Sequence, residues 1–215
     1  MIELESVTKI IKGKTVLNNI SYTFHDGRTY GIKGVNGSGK TMMLRIIAGL
    51  IYPTTGNVKI DGRILGKDIS FPDRLGVIIE NPSFLNTSTG FDNLQLLTSL
   101  NGYADEFAIK RSLKRVGLDP EDKRKYKKYS LGMKQRLGIA AAIMEEPKII
   151  LFDEPLNALD KSGIRMFDSI IAEEKNREPL IIMTCHEEEK LRAYSDIILC
   201  MENGMLSEEE EGKWL

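Results

Sequence analysis

The chain has 215 residues, 41% of them hydrophobic, enough for one substantial core with a smaller lobe. With 30 Lys and Arg against 31 Asp and Glu, the net charge is -1, and no basic balance points to a nucleic-acid partner. Two cysteines in apolar runs, Cys185 and Cys200, read as buried free thiols and not as a disulfide framework. Met1 to Glu5 lacks the basic and apolar parts of a signal peptide. No apolar run reaches the ~18–20 residues that span a bilayer, so a soluble chain is expected, with any role at a membrane reached through a partner.

Ile2 to Val7 alternates apolar and polar residues as a half-buried strand does. Lys12-Gly13-Lys14 is a turn. Val16 to Phe24 continues as a strand with Ile20, Tyr22 and Phe24 on one face. Asp26-Gly27 reads as a hairpin-type turn into a short buried strand, Thr29 to Lys33. Next comes Gly34-Val35-Asn36-Gly37-Ser38-Gly39-Lys40-Thr41, and then a helix over Met42 to Ala48, ended by Gly49 and Pro53. The octapeptide fits G-x-x-x-x-G-K-[ST] at every fixed position. Strand, glycine loop and helix start aim backbone N–H groups and a positive dipole end at an anion. In such a loop Lys40 reaches the β- and γ-phosphates of a nucleotide, and the Thr41 hydroxyl holds Mg²⁺.

Gly56 to Gly62 and Gly76 to Glu80 are strands, the second buried and ending in an acid. From Asn81 to about Glu146 the pattern turns helical. Phe91, Leu94 and Leu97 lie three apart, Ile109, Leu113 and Val116 recur at i, i+4, i+7, and a third helix covers Leu131 to Met144. Lys and Arg are dense between Lys110 and Lys128, but Asp119, Glu121 and Asp122 interleave them, which suits a solvated face. Ser130 stands at the N-cap of the third helix with Gly132 behind it, a second helix N-terminus suited to phosphate. One glycine loop with two anion sites in a chain invites a dimer in which one subunit's second site covers the other's nucleotide.

Lys148 to Phe152 is an apolar strand that delivers Asp153 and Glu154 at its end, where open α/β sheets bind ligands. Asp153 suits Mg²⁺, and Glu154 suits an attacking water. A helix marked by Ile164, Phe167, Ile170 and Ile171 follows, then a strand Leu180 to Thr184 ending at Cys185-His186. Glu187 to Glu189 open a helix where acids suit the dipole. Ile197 to Met201 is the last strand, turned by Asn203-Gly204, and Glu208 to Glu211 reads as a solvated, frayed end. Strands alternating with helices predict an α/β fold: a P-loop NTPase core with a mainly parallel sheet, an N-terminal antiparallel β subdomain and an inserted helical subdomain. The whole of 1–215 is one domain on this reading, its core about 1–81 and 147–215 and its helical part about 82–146.

Nearly the whole chain resembles the ATP-binding cassette family in its nucleotide-binding subunits. Gly34 to Thr41 resembles Walker A, Ile149 to Glu154 Walker B, and Tyr129 to Met133 the signature otherwise written LSGGQ. Asn157-Ala158-Leu159-Asp160 resembles the D-loop, and His186 the switch histidine. The resemblance implies a dimer, of two like chains or of related ones, that sandwiches two Mg-ATP between Walker A of one chain and Ser130 and Gly132 of the other. It implies hydrolysis with Glu154 orienting water, Lys40 and His186 at the γ-phosphate, and Asp160 in communication across the dimer. It also implies a separate transmembrane permease subunit, docked through the helical part, and a cytoplasmic place on the inner face of the cell membrane.

Three positions depart from the family pattern. Ile11 stands where an aromatic ring normally stacks on adenine. Met42 replaces a second hydroxyl residue near the α-phosphate. Glu80 replaces the usual Gln beside the metal, adding a negative charge there. The Glu80 substitution and Leu131-Gly132-Met133-Lys134-Gln135-Arg136 resemble the branch that exports bacitracin and lantibiotic peptides. A soluble cassette ATPase serving an assembly process, such as iron–sulfur cluster building, would share the catalytic motifs. A hydrophobic partner subunit would decide between the two.

Overall fold

The computed structural model describes residues 1–209, the Asn101 side chain excepted. The N-terminal part runs β1 (Ile2–Ile11), β2 (Lys14–Phe24), β3 (Thr29–Lys33), α1 (Lys40–Ile47), β4 (Thr55–Ile60), β5 (Arg63–Ile64) and β6 (Leu75–Ile78). Three helices follow: α2 (Gly90–Asn101), α3 (Glu106–Arg115) and α4 (Leu131–Ile143), with a 3-10 turn at Tyr126–Lys128 before the last. The chain then returns through β7 (Ile149–Phe152), α5 (Lys161–Lys175), β8 (Leu180–Thr184), α6 (Glu188–Tyr194), β9 (Ile197–Glu202) and β10 (Met205–Glu208).

Two sheets result. One is antiparallel, in the order β2-β1-β4-β5; the other is six-stranded, in the order β10-β9-β3-β8-β7-β6. In the larger sheet every pair is parallel except β9 with β10. The expected α/β fold, with its antiparallel N-terminal part and its helices inserted between β6 and β7, is therefore present.

β7 and β8, inside the larger sheet, are buried on both faces, which is why they carry nearly unbroken apolar runs. Alternation still sorts the side chains. Ile149 and Leu151 of β7, with Leu180 and Ile182 of β8, join α1 and the antiparallel sheet in one core. Ile150 and Phe152, with Ile181 and Met183, join α3, α4 and α5 in the other.

Asp26-Gly27 does not make a hairpin. β2 pairs with β1, whereas β3 pairs in parallel with β8 and β9, so the turn carries the chain from one sheet to the other. The acidic end also differs from expectation. Glu208 belongs to β10 and accepts a hydrogen bond from the Tyr22 hydroxyl at 2.8 Å. Glu209 pairs with Arg192 at 2.7 Å and with Lys33, which leads into the glycine loop. Glu210 and Glu211 lie outside the described residues. Both cysteines are free, but only Cys185 is buried; Cys200, on the penultimate strand, is half-buried.

Candidate functional site

β3 is a central strand, and its end fixes where the glycine loop starts. Gly34 has φ of +153°, and a Cβ there would lie 2.2 Å from the Met201 carbonyl oxygen, so only glycine fits against β9. Gly39, at φ of +117°, packs as tightly: a Cβ would meet Leu17 at 2.8 Å. Gly39 is also the N-cap of α1 and supplies no side-chain acceptor, which leaves first-turn N–H groups for an anion. The Lys40 ammonium is folded back onto its own loop, donating to the Gly34 and Val35 carbonyls at 2.6 and 3.1 Å.

β7 lies two strands from β3, with β8 between them. Its end brings Asp153 to the loop: the Thr41 hydroxyl donates to Asp153 Oδ2 at 2.7 Å. Asp153 is buried, at 4% exposure. Its second oxygen accepts from the Thr184 hydroxyl at 2.8 Å, and that hydroxyl accepts from the Glu154 N–H at 2.9 Å. Glu154 sits in the left-handed region at φ of 52°, a strained place for a residue with a Cβ, costing roughly 1–3 kcal/mol. The twist turns its carboxylate toward the β8 end, where Oε2 accepts from the His186 backbone N–H at 3.1 Å and Oε1 lies 3.4 Å from His186 Nε2. Burial pushes the Glu154 carboxyl above the ordinary range, and neighbouring Asp153 adds to the effect against the opposing pull of His186 and Lys40.

Gly39, Lys40, Thr41, Asp153, Glu154 and His186 line one cleft of about 310 Å³, together with Val16, Asn36, Gly37, Met42, Arg45 and Glu80. Three features had no local signal in the sequence. Thr184 cross-links the acid pair to the histidine loop. Val16 on β2 lines the cleft, whereas Ile11, at the end of β1, is not among the lining residues. Arg45, one turn beyond Thr41 on α1, pairs with Glu80 at 2.7 Å. Val35 and Ser38 complete the loop, Val35 exposed and Ser38 buried.

Ser130 and Gly132 are elsewhere, at the start of α4. The Ser130 hydroxyl caps the helix by accepting from the Met133 N–H at 3.2 Å. Leu131, beside them, is 73% exposed. Behind this exposed end, α4 is tied to the loop after β7. Buried Gln135 donates to the Pro155 carbonyl at 2.9 Å, and Arg136 reaches Ser162 at 3.0 Å and Asp160 at 3.4 Å. Asp160 in turn caps α5, accepting from the Gly163 N–H at 2.7 Å.

A strand–glycine loop–helix whose Lys opens the helix and whose Thr bonds an acid pair at the end of a parallel strand two places away in the sheet defines a P-loop nucleoside-triphosphate-binding core. The sequence model of the ABC transporter family matches residues 17–157. Among curated proteins, the chain is 48% identical over 211 residues to the uncharacterized ABC transporter ATP-binding protein YybJ of Bacillus subtilis, covering 98% of this chain and 97% of that one. It is 38% identical to the bacitracin transport ATP-binding protein BcrA of Enterococcus faecalis, covering 97% of this chain and 68% of the relative. It is 34% identical to the lantibiotic transport ATP-binding protein SrtF of Streptococcus pyogenes, with coverages of 98% and 91%. The fold matches the ATP-binding cassette MJ0796, solved as a dimer bound to ADP and Pi, at a TM-score of 0.87 and 24% identity over 100% of both chains. The chain belongs to the ABC transporter family as an ATP-binding subunit.

Proposed function

We propose that this chain is the ATP-hydrolysing subunit of a membrane exporter, working as a dimer of cassettes on a separate transmembrane permease. The observation that carries the reading is the hydrogen-bonded chain from Thr41 through Asp153 and Thr184 to Glu154 and His186, set along the cleft that the glycine loop opens. The loop N–H groups from Gly34 to Met42 would hold the phosphates. Lys40 would exchange its two loop carbonyls for phosphate oxygens.

The donor set fits Mg²⁺. One hydroxyl and one carboxylate are hard oxygen ligands, and Mg²⁺ is commonly bound by one or two carboxylates plus the phosphates of the substrate. Among the described residues no cluster of three or more His, Cys, Asp or Glu would hold a metal without the nucleotide. When bound, Mg²⁺ supplies neutralisation of the charge on the β- and γ-phosphates. Thr41 and Asp153 would hold it, with Glu80 on the same cleft. Glu154, its basicity raised by burial, would orient the attacking water and accept its proton. His186, anchored to Glu154 through its backbone, would contact the γ-phosphate.

Ser130 and Gly132 lie outside this cleft, on an exposed helix end, which suits a site completed by a second copy or a related cassette. Asp160, joined to α4 through Arg136, would carry contact across that dimer. The inserted helices would present the permease-docking surface, and α2 and α3 bear the exposed Leu100 and Phe107. No helix among the described residues is long and apolar enough to cross a membrane, so a place on the inner face of the cell membrane would come through the permease. Glu80, the Leu131–Arg136 segment and the similarity to a bacitracin and a lantibiotic transport ATP-binding protein support the bacitracin and lantibiotic export branch.

The test is hydrolysis by the purified chain and its Glu154→Gln variant, with ATP binding measured in parallel. Binding retained with hydrolysis lost supports the assignment. Equal hydrolysis by both proteins removes Glu154 from the reaction.

A further inference from the structure

Arg45 is a cation on the wall of the nucleotide cleft that neither the loop nor the acid pair accounts for. It follows Thr41 by four residues on α1, so the two share a helix face, and both line the cleft. It stands in the last turn of α1, where the helix dipole favours a positive charge. Glu80 comes from the opposite side, just past β6, with its backbone in the left-handed region at φ of 58°. The guanidinium and the carboxylate meet at 2.7 Å. Glu80 is 59% exposed and Arg45 retains side-chain exposure, so the pair is open to solvent and held weakly enough to be exchanged. The other ionisable groups facing this cleft are Lys40, Asp153, Glu154 and His186, and Asp153 already accepts from Thr41.

We propose that Arg45 is a positioning residue that holds the Glu80 carboxylate in reserve, so that Glu80 becomes available to the divalent cation only when the Arg45 pair opens. Arg45 thereby lowers the affinity of the nucleotide-loaded cleft for metal below what a free carboxylate beside Thr41 and Asp153 would give. A glutamate at this position then need not over-tighten metal binding. The proposal rests on the reading of Thr41 and Asp153 as metal-holding groups.

The test is Mn²⁺ binding in the presence of adenylyl-imidodiphosphate, followed by electron paramagnetic resonance of free Mn²⁺, so that no turnover is read. Arg45→Met keeps the apolar stem and removes the charge. It is expected to tighten Mn²⁺ binding by about two- to fivefold, the range an exposed ion pair supports. Arg45→Lys should stay near wild type. In a Glu80→Gln background Arg45→Met should change nothing, because the carboxylate it releases is gone. No tightening in Arg45→Met overturns the proposal. Equal tightening with and without Glu80 also overturns it, since that is the bulk effect of removing a cation from the cleft. Asp153→Asn separates the underlying reading: it should weaken Mn²⁺ binding by about ten- to hundredfold. If it does not, the metal site lies elsewhere and the proposal falls with it. Thermal melting of each nucleotide-free variant checks that the fold is retained.

Discussion

The glycine-loop cleft and the N-terminus of α4 both open helices, yet they are built in opposite ways. In the cleft, the side chains satisfy one another: Lys40 bonds its own loop, Thr41 bonds Asp153, and Thr184 bridges Asp153 to the Glu154 backbone. At α4 the front is bare, with Leu131 exposed beside Ser130, and the binding is all behind it, through Gln135 and Arg136. The first region is organised to receive a ligand between elements of the same chain. The second is tied from the rear through Gln135 and Arg136 and leaves its front exposed to solvent. The loop after β7 serves both, since it carries Glu154 at one end and Asp160 at the other.

Several substitutions would break or sharpen this contrast. Glu154→Gln should have the largest effect, lowering hydrolysis by about a hundredfold or more while ATP still binds, because a positioned base contributes that much. Arg136→Met cuts the tie between α4 and Asp160 without touching the cleft. Hydrolysis should fall by a few-fold to roughly tenfold, with ATP affinity of the isolated chain unchanged. A parallel loss of ATP affinity would show that the two regions are not separable. Ser130→Ala removes a helix cap and should cost about 1 kcal/mol in chemical denaturation, with Ser130→Thr close to wild type.

A smaller effect is set by pH. Burial raises the Glu154 carboxyl pKa in the folded chain, so the folded state favours the protonated form, and that contribution is lost as pH rises through the folded value. Glu154→Gln should therefore raise the melting temperature at neutral pH, and the gain should shrink as pH falls into the ordinary glutamate range. A gain independent of pH would mean that the carboxylate carries no burial penalty. The smallest contrast concerns the base. With aliphatic Val16 lining the cleft and Ile11 off it, no ring-stacking contribution of about 0.5–1.5 kcal/mol arises from either residue, and ATP and GTP affinities should agree within about tenfold.

Much of the cleft is legible in the sequence because its groups sit at element ends that local pattern defines. Glycines with a Lys-Thr mark the loop, and four apolar residues before Asp153-Glu154 mark a strand end. What escapes a sequence reading depends on pairing across the chain. Thr184 and Asp153 are separated by 31 residues, and Arg45 meets Glu80 only because β6 returns beside α1. Asp26-Gly27 has the chemistry of a turn whether the next strand pairs back or crosses to another sheet. β10 is short and half polar, and it forms only because Asn203-Gly204 folds it onto β9. The frayed end expected from four acids ignored two distant cations, Lys33 and Arg192, that hold Glu209.

Complementation tests most directly whether Ser130 of one chain completes the cleft of another, as proposed. Lys40→Ala disables the glycine loop, and Ser130→Glu sets a carboxylate at the second anion site. Each purified variant should be inactive. In an equimolar mixture, random pairing makes half the dimers mixed, each with one intact composite site, so hydrolysis should recover to about a quarter of wild type. No recovery on mixing, under conditions where wild-type chains hydrolyse ATP, would contradict a site shared between two chains.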